Sequence, residues 1–183
     1  MKRLSKPRLI AVDGTDAGAV LAAARRALGS PSRGGISHWD ASGVFQELAV
    51  ADDAAGAPSP RTLLLLYAAD LAFRLRWEIK PALAEGYSVV AAPYIETAVA
   101  FGRAAGVPAG WLANLFRFAP RATEHCFVHR AAKRGKNIEG FVGFVCGRMR
   151  GKPAGQTPRQ IQVSTAAELR KIARARTRAK GSG

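Results

Sequence analysis

Cysteine and histidine are scarce in this chain. Its 183 residues include two cysteines, Cys126 and Cys146, and three histidines. Two cysteines cannot form the disulfide framework of a small secreted domain, and their spacing is not that of a zinc site. So few histidines also leave no Ser-His-Asp or Cys-His arrangement that stands out. The composition therefore predicts a protein of the reducing cytoplasm, with no metal site.

Long apolar runs are absent as well. No stretch of about 18 residues is both uncharged and apolar, so the sequence predicts no membrane span. The basic segment of residues 1–8 is followed by a short apolar run that reaches Asp13 and Gly14. A run of this kind indicates a first strand more than a signal peptide.

Acidic residues are few, above all in the last third of the chain. Residues 1–120 contain 13 Lys/Arg and 10 Asp/Glu, whereas residues 121–183 contain 15 Lys/Arg and 3 Asp/Glu. The net charge of +15 is therefore concentrated toward the carboxyl end. A positive field attracts polyanions such as nucleic acid, nucleotides or acidic proteins. The alternative is a solvated basic surface that binds no ligand.

A phosphate-binding loop near the amino terminus lacks its binding residues. Residues 9–12 are predicted to form a buried strand, and apolar residues at helical spacing predict a helix over residues 17–28. A working P-loop has Gly, four residues, Gly, then Lys and Ser or Thr. Here three residues separate Gly14 from Gly18, and the next two residues are Ala19 and Val20. Neither side chain can bind an anion or a metal.

Strands and helices alternate along the rest of the chain, which predicts an α/β fold with a parallel sheet flanked by helices. Further strands are predicted at residues 87–92 and 126–128, and helices at residues 43–48, 61–85, 96–103 and 108–117. The long helix has Ser59 as its N-cap, Pro60 at its first position, a kink at Pro81 and a stop at Gly86. Residues 138–148 fit a strand or a helix. A capping box at Thr165 predicts the start of a basic helix.

The residues divide into two expected units. Residues 1–160 are expected to form the α/β domain, and residues 161–183 a basic carboxyl-terminal helix and tail.

One pattern of residues runs in order over more than 100 positions. Its best stretch is LLLLYAAD at residues 63–70, continued by IKPALAEG at residues 79–86. VVAAPY follows at residues 89–94, then GVP at 106–108 and NLFRFAP at 114–120. In these segments the chain resembles the thymidylate kinases, P-loop enzymes that transfer a phosphoryl group from ATP to dTMP. The resemblance covers roughly residues 8–128 and implies a three-layer P-loop NTPase-like fold.

The chain departs from the family pattern at positions that carry catalytic or nucleotide-binding residues in the family. Ala19 and Val20 stand at the P-loop Lys and Ser/Thr, Ala92-Pro93 at an Asp-Arg pair, and Leu71 at an Arg that contacts nucleotide in the family. Phosphoryl transfer depends on positioning and on groups that stabilise negative charge. At least three cations and the metal-binding hydroxyl are therefore missing together. The resemblance thus implies a catalytically inactive member of the family with a binding or regulatory role.

Six residues are candidates for a degenerate nucleotide site: Asp13, Gly14, Asp16, Gly18, Tyr67 and Tyr94. The two carboxylates can hold a cation or serve as turn and helix-cap groups. The two tyrosines, with Phe73 and Phe101, can stack on a base or pack in the core. His125 and His129 would share one face of a strand and Cys126 would face the other, so no metal is predicted there.

Two basic clusters are candidates for binding a polyanion, and they comprise Arg130, Lys133, Arg134, Lys136, Arg148, Arg150 and Lys152. In thymidylate kinases an arginine-bearing lid follows the corresponding strand. The clusters are therefore interpreted as a diverged lid, a polyanion site or a solvated surface. The basic helix beyond Thr165 is the weaker candidate, because Arg176 and Lys180 widen the arc of its cations.

Three functions remain open. The first is the inactive thymidylate-kinase-like protein, which needs no cofactor. The second is a divergent kinase of dTMP or a related nucleotide, using Mg-ATP and cations from residues 129–152. The third is a basic nucleic-acid-associated module on the same scaffold. The expected partners are a second copy of the chain, bound through the apolar helix of residues 63–79, and a nucleotide or nucleic acid, but no membrane.

Overall fold

The computed structural model describes residues 6–29, 34–50, 58–129, 140–148 and 157–181. Within these residues, four strands form a sheet: β1 (Leu9–Gly14), β2 (Gly34–His38), β3 (Ser88–Ala92) and β4 (Glu124–Val128). Eight α-helices accompany them: α1 (Ala17–Leu28), α2 (Val44–Val50), α3 (Pro60–Arg74), α4 (Lys80–Ala84), α5 (Glu96–Ala104), α6 (Ala109–Phe116), α7 (Phe141–Arg148) and α8 (Pro158–Gly181). A π-helical turn, Leu75–Ile79, joins α3 to α4.

The sheet is parallel throughout, in the order β2-β3-β1-β4. Every residue of β1 is buried, as expected for a central strand covered on both faces. Leu9 and Ala11 point to one face and pack with α3, α5, α6 and α7, whereas Ile10 and Val12 point to the other and pack with α1. This confirms the predicted α/β architecture, with helices on both faces of a parallel sheet.

Strand β2 is not among the strands predicted above, because Gly34 and Gly35 at its start are typical of a loop. It contains two glycines and lies at the edge of the described sheet, where it pairs with β3. A Cβ built on Gly34 would lie 2.2 Å from the carbonyl oxygen of Ser88, so only glycine allows this close approach. Pairing with β3 therefore accounts for the extended conformation of this segment, because its own composition favours a loop.

The predicted long helix begins as expected but is interrupted before Pro81. Ser59 caps α3 by accepting a hydrogen bond from the Thr62 N–H at 3.1 Å, and Pro60 opens the helix. The π-helical turn then widens the backbone, and Pro81 lies in the first turn of α4. Gly86 ends the segment with a positive φ of 85°. The irregularity predicted at Pro81 thus lies one turn earlier.

The predicted helix start at Thr165 is wrong. Helix α8 begins at Pro158, where the Thr157 N–H donates to Gln160 Oε1 and the Gln160 N–H donates to Thr157 Oγ1. This earlier capping box has a proline at the first helical position. Thr165 is buried inside the helix, and its hydroxyl donates to the Ile161 carbonyl. The expected boundary after residue 160 thus falls within α8.

Helix α8 packs against α5 and α7. Leu169 and Ile172 of α8 form a small buried cluster with Ala100 of α5. Residues 138–148, which fitted a strand or a helix, include α7. Among the described helices, none is long and apolar enough to cross a membrane.

Candidate functional site

The turn between β1 and α1 lies at the carboxyl end of the central strand, where parallel α/β folds place their ligands. Two of its backbone N–H groups already have partners within the chain. The Gly14 N–H donates to Thr97 Oγ1 at 3.1 Å, and the Ala19 N–H donates to Asp16 Oδ1 at 2.7 Å. Donors that would cradle a phosphate in a P-loop are therefore engaged internally.

Charge at this turn has the wrong sign for a phosphate. Asp16 is the N-cap of α1, so a carboxylate stands where the helix dipole would attract an anionic ligand. Residues 14–20 contain no Lys or Arg, and Thr15 carries their one hydroxyl. Ala19 and Val20 are buried beneath the turn.

Asp13 holds this turn to the start of α5. Its Oδ1 accepts hydrogen bonds from the N–H groups of Tyr94 and Thr97 and from Thr97 Oγ1 at 2.8–3.1 Å. Oδ2 is buried and makes no hydrogen bond to the described residues. Burial raises the pKa of Asp13 to about 6, against the lowering effect of the bonds from Thr97. Sequence reasoning missed Thr97, which no motif marks.

Asp13 should make the stability of this protein depend on pH. Its folded pKa of about 6 exceeds the ordinary value of 3.8, so the folded state binds the proton more tightly and stability falls as pH rises from about 4 to 6. Asp13→Asn removes this dependence. Between pH 4 and pH 8, the unfolding free energy of the variant relative to wild type is expected to rise by about 2–3 kcal/mol. Urea denaturation at both pH values measures it, and parallel pH profiles for the two proteins would contradict it.

The start of α7 closes the space above the turn. A Cβ built on Gly140 would lie 2.6 Å from Cβ of Ala17, so the two segments are in direct contact. The remaining cavity has a volume of about 10 Å³ and is bounded by residues of the turn, the end of β2 and α7, among them Thr15, His38 and Val142. A volume of this size holds about one water molecule. The described residues therefore leave no phosphate-sized cavity between the turn and α7.

Both candidate tyrosines lie in the core. Tyr67 is fully buried, and its hydroxyl donates to the carbonyl groups of Pro93 and Tyr94. The Tyr94 hydroxyl donates to the Pro120 carbonyl at 2.6 Å. The ring of Phe141 lies against Tyr67, with ring centroids 4.5 Å apart. An aromatic ring of α7 therefore occupies the neighbourhood where stacking on a base was considered.

A buried ion pair below the site was missed by the sequence analysis. Arg74 Nε lies 3.0 Å from Asp70 Oδ2, and both side chains are fully buried. Asp70 also accepts hydrogen bonds from the Asp40 N–H and from the N–H and hydroxyl of Ser42. Arg74 Nη1 donates to the Pro93 carbonyl at 3.1 Å. The spacing of acid and arginine four residues apart within an apolar helix was the available signal.

The remaining candidates are placed only in part. Most of the basic clusters, namely Arg130, Lys133, Arg134, Lys136, Arg150 and Lys152, lie outside the described residues. Arg148 is the last residue of α7. The rings of His125 and Phe127 on β4 and of His129 just after it stack along one face, as the alternation of a strand predicts, while Cys126 packs with the core on the other. No group of three metal-binding side chains occurs within the part of the chain that the structure describes.

Comparison with known proteins gives partial matches. No protein-family model matches the chain. It is similar to a probable thymidylate kinase of Pyrobaculum calidifontis, at 38% identity over 66 residues, which is 36% of this chain and 34% of that protein. A second probable thymidylate kinase, from Caldivirga maquilingensis, is 43% identical over 53 residues, which is 29% of this chain and 26% of that protein. The matches thus span about a third and a quarter of the relatives' lengths.

The similarity in structure extends further. Thymidylate kinase from Ehrlichia chaffeensis superposes with a TM-score of 0.56, covering 67% of this chain and 71% of that one at 15% identity. The chain has a thymidylate-kinase-like fold. Its parallel sheet flanked by helices matches the architecture of that structure. At this identity the likeness concerns the fold alone, so the chemistry has to be argued from the residues of this chain.

Proposed function

We propose that this chain is a catalytically inactive thymidylate-kinase-like protein that uses the retained fold for binding or regulation. The observation that carries the proposal is the state of the β1–α1 turn. Its helix N-terminus is capped by the Asp16 carboxylate, and Gly140 packs on Ala17 above it. A polyphosphate approaching this turn would meet a negative charge and a backbone, where a kinase supplies a cation and open N–H groups.

The residues at the other departures support the same conclusion. Leu71 and Ala92 stand at family positions that carry an arginine and an aspartate, and both are fully buried in the core. Pro93 replaces the second arginine, and its carbonyl accepts hydrogen bonds from Tyr67 and Arg74. These positions now stabilise packing and hydrogen bonding within the fold. A cation restored at any one of them would have to displace core contacts.

Titration calorimetry with ATP, with and without Mg²⁺, tests the proposal. We expect affinity weaker than micromolar and no change on adding Mg²⁺, since Ala19 and Val20 stand where a P-loop has the lysine and the metal-binding hydroxyl. Asp16→Asn is the informative variant, because asparagine keeps the N-cap hydrogen bond and removes the charge. It should bind phosphate better than wild type. A tight, Mg²⁺-dependent complex of the wild-type chain would contradict the proposal and favour the divergent kinase.

We further propose that two copies pair through the outer face of α3 and the π-helical turn. Leu65, Phe73, Trp77 and nearby Phe118 are four of the five exposed large apolar residues among those described. Exposed Ala69 lies between Leu65 and Phe73 along this face, so a second copy can interlock large side chains with a small one. A dimer with two-fold symmetry would bury these exposed apolar side chains on both copies at once.

The pairing is measured by light scattering at tens of micromolar protein. Wild type is expected at twice the mass of the 19.4 kDa chain. Trp77→Lys should shift the population toward monomer by placing charges in the interface. Val163→Lys is the matched control, since Val163 on α8 is 61% exposed and Trp77 is 64% exposed. A monomeric wild type, or equal effects of the two variants, would count against this interface.

A further inference from the structure

The cations of α8 lie on both of its faces, but the structure assigns them unequal surroundings. One face packs on the body of the molecule through Ile161, Thr165, Leu169 and Ile172. Arg176 lies on that side, where its Nε donates to Glu96 Oε1 of α5 at 2.8 Å. Its charge is therefore compensated within the fold. Arg176 thus lies outside the arc of the other arginines, on the packed side of the helix.

Five of the other cations of α8 share the solvent-facing side. At about 100° per residue, Arg170, Arg174 and Arg178 fall within about 80° of arc, and Arg159 and Lys171 widen the arc to about 120°. All five residues are exposed. We call this set the α8 ridge. Its ends, Arg159 and Arg178, are separated by about 28 Å along the helix.

Acidic residues are nearly absent from the helix that carries the ridge. Glu168 is the single acidic residue of α8, and it pairs with Lys171 at 2.6 Å. Four of the five ridge cations are arginines, whose planar guanidinium groups bind phosphate oxygens in pairs. Successive arginines four residues apart rise by about 6 Å, so a rigid row of phosphate-binding groups results.

We propose that the α8 ridge docks onto the sugar-phosphate backbone of double-stranded nucleic acid. Charge complementarity over about 28 Å favours a long, rigid polyanion. A single strand fits less well, because α8 contains no aromatic residue on which bases can stack. An anionic membrane fits less well too, because a membrane-bound helix buries its apolar face in lipid, whereas that of α8 packs on α5. Recognition would be indifferent to base sequence, since phosphate contacts carry no sequence information.

Fluorescence anisotropy with labelled 20-base-pair DNA and RNA duplexes tests the proposal, starting at about 50 mM salt. The full chain should bind duplex more tightly than a 20-nucleotide oligo(dT). The triple variant R159Q/R170Q/R174Q should weaken duplex binding at least tenfold and lower the salt slope by about 2–3, since each phosphate contact contributes about 0.9. The control R25Q/R26Q/R103Q removes the same charge from exposed residues of α1 and α5 and should change affinity less than threefold.

Several results would overturn the proposal. They are absence of duplex binding by the wild type, equal losses in the two triple variants, or tighter binding to anionic vesicles or polyglutamate. A loss confined to K133Q/R134Q/K136Q would place the site in the other basic cluster. If circular dichroism shows that the ridge variant does not fold, the proposal is tested on the wild type by acetylating its lysines with and without duplex. Duplex should protect Lys171 and leave exposed Lys6 reactive, and unprotected Lys171 would reject the ridge.

Discussion

A coupled assay of the full chain with Mg-ATP and dTMP is expected to give a turnover at least about 10³-fold below the usual 1–100 s⁻¹ of kinases. Loss of one group that stabilises the transition state typically lowers the rate by about 10²–10³. In the proposed correspondence with the family pattern, the positions of two arginines, a lysine and a metal-binding hydroxyl hold Leu71, Pro93, Ala19 and Val20. All four are buried apolar residues, so no small movement brings a charge from these positions to the reacting phosphate.

The control is the same sample with an added active dTMP kinase, which shows that nothing in the preparation inhibits the assay. Turnover near 1 s⁻¹ by the chain itself, within the usual kinase range, would refute the inactive-protein proposal. The variant K133Q/R134Q/K136Q would then show whether cations beyond β4 have taken over the catalytic role, because only the rewired kinase loses activity with them. Nucleic-acid binding by the α8 ridge is independent of either result.

Asp70→Ala is expected to lower the unfolding free energy by about 3–5 kcal/mol, the second large effect. The substitution leaves the Arg74 guanidinium buried without its carboxylate, and an uncompensated buried charge costs this much. It also leaves the N–H groups of Asp40 and Ser42 without their acceptor. Chemical denaturation monitored by tryptophan fluorescence measures the loss.

The matched control is Glu168→Ala. It breaks the ion pair with Lys171, three residues along an exposed helix face, and should cost less than about 1 kcal/mol. The double variant D70L/R74M should recover part of the loss, because it removes both charges together. Equal losses for Asp70→Ala and Glu168→Ala would mean that the buried pair does not support the fold.

Much of the architecture could be predicted because it depends on short-range signals. Helix α1, the Ser59 cap of α3 and the stop at Gly86 follow from apolar spacing and from residues that suit one backbone conformation. Strands β1 and β3 were evident as apolar runs, because central parallel strands are buried on both faces. Strand β2 could not be recognised from the sequence, because its glycines favour a loop and its extended conformation depends on hydrogen bonds to the neighbouring strand β3.

The start of α8 shows a different limit. Two capping-box patterns occur, at Thr157 and Thr165, and local chemistry allows either to begin a helix. Burial of Ile161 and Thr165 against the rest of the molecule extends the helix back to Pro158. Long-range packing thus selected one of the two possible helix starts. The helix irregularity that was predicted at Pro81 likewise lies in the π-helical turn.

The sequence by itself determined the α/β class, the resemblance to thymidylate kinases and the absence of lysine and arginine from the β1–α1 turn, since these depend on residue types and their order. Only the tertiary structure decided where the side chains of distant segments meet. It joined Asp13 to Thr97, Asp70 to the loop at Ser42, and Phe141 to Tyr67. It also turned Arg176 toward Glu96 and left the other arginines of α8 in a row. Such contacts link residues far apart in the chain, and packing alone brings them together.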